Sequence, residues 1–371
     1  MHVNRFAPYL LIAAAVLTAG MEMSADTQDQ RREEKSAAAA GSAAGLSARG
    51  TGIYALPVSA SRIQHLGKPL AGLALQPGFP DLYRTAALRK LSSLRFEVPG
   101  EEDMAAQNLA DSVALPVLAN NQILAFYGKP GSKSMGILGE YSKEDLARML
   151  DGYAKLYDDV NGPTGVVTAF YLIYGTCWPG GEIGYLKDSV VQSYIDYAAA
   201  HNMLVFVDHQ IGRYGVEDAM KHLLPFLKYP NVHIAIDPEW RTTLPMKEIG
   251  RISADELNAA QKMMSDYIET EGIPGDKMLV VHQFRYSMIQ GREKVKASYS
   301  HVLLVHTADG FGSPQLKRNT YAMNSLAANM PLKGFKLFFK TAVPGAGWDN
   351  PLLTPSEVLA LDPRPALIIY Q

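Results

Sequence analysis

Three observations predict an α/β fold of the (β/α)8 TIM-barrel type. Eight apolar runs of strand length recur from residue 121 onward, and helical segments with recognisable start signals lie between them. No glycine-rich phosphate loop follows the first run, which disfavours the competing architecture, a doubly wound open sheet.

The elements follow in order. The first run, residues 123–127, leads into Gly128-Lys129-Pro130-Gly131-Ser132-Lys133, which has neither dinucleotide nor phosphate-loop spacing. Ser142-Lys143-Glu144-Asp145 opens a helix, with serine placed to accept from the first free amides. The second and third runs, 166–174 and 204–207, flank a helical segment at 188–201; another helix spans 216–227 before the fourth run at 232–236. Ser253-Ala254-Asp255-Glu256 is a capping box before an amphipathic stretch to Glu271. Runs at 278–281 and 302–305 follow. Ser313-Pro314 and Thr354-Pro355 place proline at the favoured first helical position, around runs at 335–339 and 366–370.

Four parts are expected: a signal peptide at 1–25, a low-complexity linker at 26–50, an extension at 51–120, and a barrel domain at 121–371. Arg5 precedes an apolar stretch, 7–19, too short to span a bilayer, and Ala19, Gly20 or Ala25 offers a small-residue cleavage site. The following tract (Arg31-Arg32-Glu33-Glu34-Lys35, then Ala- and Gly-rich sequence) lacks residues that build a core. A barrel ending at strand eight lacks its last helix, a gap residues 51–120 are expected to cover. The chain is expected to be secreted or periplasmic, free or tethered to the cell envelope, with no membrane span once mature.

The 371 residues are 47% hydrophobic and 19% charged, enough for a large core, and the net charge of −2 offers no basic surface for nucleic acid. One cysteine, Cys177, excludes an intramolecular disulfide and reads as packing.

In a barrel, the C-terminal strand ends build the site. Here they carry Tyr127 and Lys129, Asp208-His209-Gln210, Asp237-Pro238-Glu239-Trp240, His282-Gln283 with Arg285, His306 with Asp309, Lys336, and Tyr370. Asp237 and Glu239 are one residue apart, so they share a face if strand geometry persists through Pro238. Paired carboxylates push each other's pKa values apart, the usual route to an acid and a base from similar groups. Glu239, Asp237 and Asp208 are the candidate catalytic residues, and the other strand-end residues are candidate substrate contacts. Aromatics Tyr127, Tyr174, Trp178, Trp240 and Trp348 near the rim suit the C–H faces of sugars. His209, His282 and His306 with the acids offer metal ligands but lack close ligand spacing, so no cofactor is expected.

The Asp237-x-Glu239 strand end resembles the fourth-strand motif of family 18 chitinases and the Asp-x-Glu of family 25 lysozymes, both barrel glycoside hydrolases. The chitinase motif's two upstream acids fall at Val232 and Ala235 here, so the resemblance is partial. More broadly, the region from Phe126-Tyr127-Gly128 to Tyr370-Gln371 resembles a family of secreted bacterial proteins without an established activity, through Met135-Gly136-Ile137-Leu138-Gly139-Glu140, Asp237-Pro238-Glu239-Trp240, Val281-His282-Gln283-Phe284 and Gly334-Phe335-Lys336-Leu337-Phe338. These resemblances imply a secreted glycoside-hydrolase-like barrel that hydrolyses a cell-wall or environmental polysaccharide. The alternatives are a metal-dependent hydrolase using the rim histidines and a non-catalytic exported protein that binds a carbohydrate or other small polar ligand.

Overall fold

The computed structural model describes residues 117–119 and 121–371. The expected signal peptide and linker, and nearly all of the expected extension, lie outside the described residues.

In chain order the elements are β1 (Asn121–Gly128), α1 (Lys143–Asp158), β2 (Gly165–Cys177), β3 (Ile183–Tyr185), α2 (Asp188–Ala200), β4 (Leu204–Gln210), α3 (Val216–Leu223), β5 (Val232–Asp237), β6 (Ile252–Ser253), α4 (Ala254–Thr270), β7 (Lys277–Gln283), β8 (Ile289–Gln290), β9 (Val302–Ala308), α5 (Pro314–Ser325), β10 (Leu332–Leu337), α6 (Pro355–Leu359) and β11 (Leu367–Tyr370). Strands β1, β2, β4, β5, β7, β9, β10 and β11 pair in parallel in sequence order, and β1 pairs with both β11 and β2. The sheet therefore closes on itself as an eight-stranded (β/α)8 barrel. β3 adds antiparallel to the end of β2, while β6 and β8 form a separate two-stranded pair.

Each strand is buried on both faces because the barrel has two apolar layers. Ile123, Ala169, Phe206, Ala235, Val280, Val305 and Ile369 fill the interior, joined at the start of the described chain by Val117 and Leu118. Their strand neighbours, such as Leu124, Phe170, Val207, Ile234 and Val281, face the helices. Full burial on both sides explains why the sequence reads as continuous apolar runs rather than alternation.

The helix starts are the expected ones. Ser142, Ser253, Ser313 and Thr354 each accept from a first-turn amide, and Ser253–Glu256 and Thr354–Glu357 close capping boxes. Several strands run one to three residues beyond the expected runs, and two boundaries differ for a reason visible in the side chains. The helix expected at 216–227 ends at Leu223 and continues as a 3-10 turn, Leu224–Lys228, because Pro225 has no amide to donate. The seventh strand is not 335–339 but begins at Leu332, with Lys333 inside it. That lysine breaks the apolar run in sequence yet is buried, donating to the carbonyls of Asn324 and Ala327. Lys277 does the same at the start of β7, holding the carbonyls of Tyr229, Pro230 and Val232. Among the described residues, no helix is long and apolar enough to cross a membrane.

Candidate active site at the barrel mouth

Side chains alternate along each strand, so the interior set Ile123, Ala169, Phe206, Ala235, Val280 and Val305 fixes which later residues also point inward. Counting by twos brings Tyr127, Tyr171, Asp208, Asp237 and His282 to the axis near the C-terminal ends, and Lys336 from β10 joins them. Asp309, just beyond β9, completes the group. All seven are buried.

Six of them, all but Asp237, form a connected network. Tyr127 Oη donates to Asp208 Oδ2 at 2.8 Å, and Lys336 Nζ sits 3.8 Å from the centre of the Tyr127 ring. Lys336 also donates to Asp309 Oδ2 at 3.0 Å, and His282 Nδ1 lies 2.9 Å from the same oxygen. On its other side His282 Nε2 is 2.7 Å from Tyr171 Oη. The Gly310 amide donates to Asp309 Oδ1 at 2.7 Å. Asp208 Oδ1 is buried without a hydrogen-bond partner, an acceptor left open inside the barrel.

The carboxyls of this buried cluster are shifted in opposite directions. Burial works against ionisation at Asp309, but Lys336 and His282 outweigh it and keep its carboxyl below the usual range. At His282 burial is outweighed by Asp309, Asp237 and Asp208, which hold the imidazole above its ordinary value. Both ring nitrogens of the protonated form donate, so Nε2–H points at Tyr171. Burial pushes Asp237 up to about 7, with His282 resisting and Asp208 and Asp309 adding to the rise. Asp208 is likewise raised by burial.

Glu239 reaches this neighbourhood by a different route from the one expected. The strand ends at Asp237, and Pro238–Trp240 makes one 3-10 turn, so alternation does not carry through Pro238. Asp237 Oδ1 caps that turn by accepting from the Glu239 amide at 3.1 Å. Glu239 is half-buried, and its carboxyl is pushed well above the usual range by burial, then by Asp237 and Asp309; Lys336 and Arg285 pull the other way. Among the described residues its carboxylate makes no hydrogen bond.

Other rim candidates divide by face. Lys129, Trp240 and Arg285 are half-buried at the strand ends; Lys129 donates to Thr176 Oγ1 at 2.8 Å and lies 5.3 Å from the Trp178 ring centre. Trp348 is exposed at the rim, with Lys340 over its ring. A cleft of about 300 Å³ opens on this side, with Lys133, Tyr153, Phe339, Lys340 and Gln371 among its walls.

His209, Gln283, His306 and Tyr370 turn away from the axis, and Tyr174 packs in the outer layer. His209 stacks near Tyr185 and His222, and burial lowers its pKa to about 4. His306 Nε2 bonds Gln283 Oε1 at 2.7 Å, and its Nδ1 is 3.3 Å from Lys333 Nζ. Tyr370 Oη bonds Tyr157 Oη of α1 at 2.8 Å. Gln210 Oε1 is used by the Cys177 amide at 2.8 Å. The three rim histidines therefore do not converge. Among the described residues no group of three or more His, Cys, Asp or Glu is placed to hold a metal ion. Cys177 is buried, and burial pushes its thiol to about 11, which fits packing rather than nucleophilic attack.

Tyr171 is the member of this buried cluster that the sequence reading missed. It lies in mid-strand, paired in register with Tyr127. The strand-end rule passes over it because β2 runs on past the mouth to Cys177, with a register shift between Ile173 and Gly175. Gly175 is needed there, since a Cβ would sit 2.7 Å from the His209 ring.

No protein-family model and no curated protein matches this chain. Among solved structures, it is similar to a GH138 enzyme targeting pectin rhamnogalacturonan II, at 12% identity and a TM-score of 0.37, over 67% of this chain and 34% of that one. The chain thus spans about a third of the length of that enzyme. An endo-glycoceramidase II from Rhodococcus sp. gives 12% identity and 0.37, over 67% of this chain and 72% of the other. A chitinase from Chromobacterium violaceum gives 12% and 0.34, over 58% and 68%.

Proposed function

We propose that this chain is an exported glycoside-hydrolase-like enzyme that cleaves a cell-wall or environmental polysaccharide by carboxylate acid/base catalysis. The observation that carries this reading is the convergence of Asp208, Asp237, Asp309, His282 and Lys336 at one barrel mouth, with Glu239 one turn beyond Asp237, where burial raises Glu239 and Asp237 while Lys336 and His282 lower Asp309. Environments that push similar groups apart are how one pocket obtains an acid and a base at neutral pH.

In this mechanism Glu239 gives its proton to the glycosidic oxygen as the bond to the anomeric carbon breaks. Asp237, ionised in the working form, stabilises the positive charge developing on the sugar ring or orients a substrate group that assists. Asp208, whose Oδ1 is open, is the further carboxylate available to a ligand hydroxyl or an attacking water. Asp309 acts on His282 and Lys336 rather than on the sugar. Exposed Trp348 and half-buried Trp240 offer flat apolar walls for pyranose faces.

Export rests on the charged-then-apolar start and the small residues at Ala19, Gly20 and Ala25. N-terminal sequencing of protein from its host is expected to begin after residue 19 to 25, and an intact Met1 in the cytosol would refute export.

The activity is tested by incubating the protein with a panel of cell-wall and environmental polysaccharides and measuring new reducing ends. Release from at least one is expected. Binding to a glycan with no release from any would leave a non-catalytic binding protein as the better account.

A further inference from the structure

Behind Asp309 and Lys336, on the side away from the axis, lies a second buried ion pair that the mechanism does not use. Lys317 of α5 and Asp349 of the loop after β10 are both buried, with Nζ 3.6 Å from Oδ2. Lys317 Nζ donates to the carbonyls of Gly310 and Lys336. One of these follows Asp309 directly, and the other belongs to the lysine that pairs with it. Asp349 accepts from the Gly312 amide through Oδ1 and from the Phe338 amide through Oδ2, each at 3.0 Å.

Two side chains thus hold four backbone groups in the two turns that carry Asp309 and Lys336. Lys317 also lies 5.0 and 5.1 Å from the ring centres of Phe335 and Phe338, and Lys336 is 5.1 Å from Phe338 on its own account. Burying a charged pair is poor value for stability alone, since apolar residues of similar volume often serve as well. Its geometry, by contrast, is specific.

We propose that Lys317 and Asp349 are the positioning pair of this site, fixing the ends of β9 and β10 so that Asp309, Lys336 and His282 meet. The purpose of this arrangement rests on the catalytic reading above, but the measurement needs no substrate, so the two can fail separately.

The test is the midpoint of His282 protonation, followed by NMR of its imidazole in the full chain. Variants are Lys317→Met, Lys317→Gln and, as a control, Lys277→Met, which removes a buried lysine with similar carbonyl contacts at the start of β7. The sign discriminates. Deleting the Lys317 charge alone would favour protonated His282 and raise its midpoint. Losing the Asp309 contact would lower it, by about one pH unit or more, the usual effect of a close opposite charge. We expect a fall in both Lys317 variants and no change in Lys277→Met, even where all three melt at lower temperature. An unchanged or raised midpoint in a folded Lys317→Met, or an equal fall in Lys277→Met, overturns the proposal. Should Lys317→Met fail to fold, Lys317→Gln removes the same charge, keeps a polar head and carries the same expectation. In the wild type, the Gly312 and Phe338 amides should be among the slowly exchanging ones; rapid exchange of both would also overturn it.

Discussion

Asp237 and Asp309 are the same residue type in one cavity, yet they hold their protons differently because their neighbours differ. Lys336 and His282 bond directly to Asp309, whereas Asp237 spends one oxygen on a backbone amide and is otherwise dominated by burial. A carboxyl raised in the folded state binds its proton more tightly there than in the unfolded chain. It therefore favours folding below its unfolded pKa of about 4, and that advantage is lost as pH rises toward the folded value. For Asp237 the window runs from the ordinary carboxylate range up to about 7. Asp237→Asn is expected to flatten the fall of stability across that window, read by denaturant unfolding at several pH values; an unchanged slope would show that Asp237 is not the group being titrated. The same scale shows what the sequence made legible. Asp208, Asp237, His282, Asp309 and Lys336 were visible as polar residues ending apolar runs. His209, Gln283, His306 and Tyr370 have the same signature but the opposite parity, and a single residue's step reverses the face. Lys317 and Asp349 gave no signal, since a lysine on a helix and an aspartate in a loop ordinarily meet water.

Among the elements, the turn after β1 shows how backbone conformation supports the site. Gly136 has φ +87° and ψ 170°, a region essentially reserved for glycine, and a Cβ there would stand 2.4 Å from the Tyr127 carbonyl oxygen. Gly136→Ala is expected to cost about 1–3 kcal/mol from the backbone alone, with further disturbance at Tyr127. Denaturant unfolding measures it, and a variant as stable as the wild type would mean that the turn relaxes freely. Strand and helix order were legible because the barrel's strands are apolar on both faces and the helix starts carry Ser, Thr and Pro signals. What escaped was where buried polar groups substitute for apolar ones. Lys333 hid the start of β10, and Pro225 split a helix that periodicity alone would continue. The 3-10 turn at Pro238–Trp240 also lay outside strand logic, yet it keeps Glu239 within the field of Asp237 and Asp309.

At the scale of the molecule, closure is what brings these residues together. Because β1 pairs with both β2 and β11, residues from positions 127 to 336 converge on one axis, although no two strands ending there are adjacent to all the others. Closure was readable from the count of eight runs; the state of each carboxyl was not, because it depends on neighbours tens to hundreds of residues away. The central claim is that this converged mouth performs acid catalysis through Glu239. Glutamine is nearly isosteric with a glutamic acid, and burial raises the Glu239 carboxyl, so Glu239→Gln should preserve folding and glycan affinity while removing the transferable proton. The most direct measurement is kcat for reducing-end release by wild type and Glu239→Gln on the same polysaccharide, with both melting temperatures. The account expects matching melting temperatures and a loss of about 10²–10⁴-fold in kcat; equal cleavage by the two proteins would contradict it.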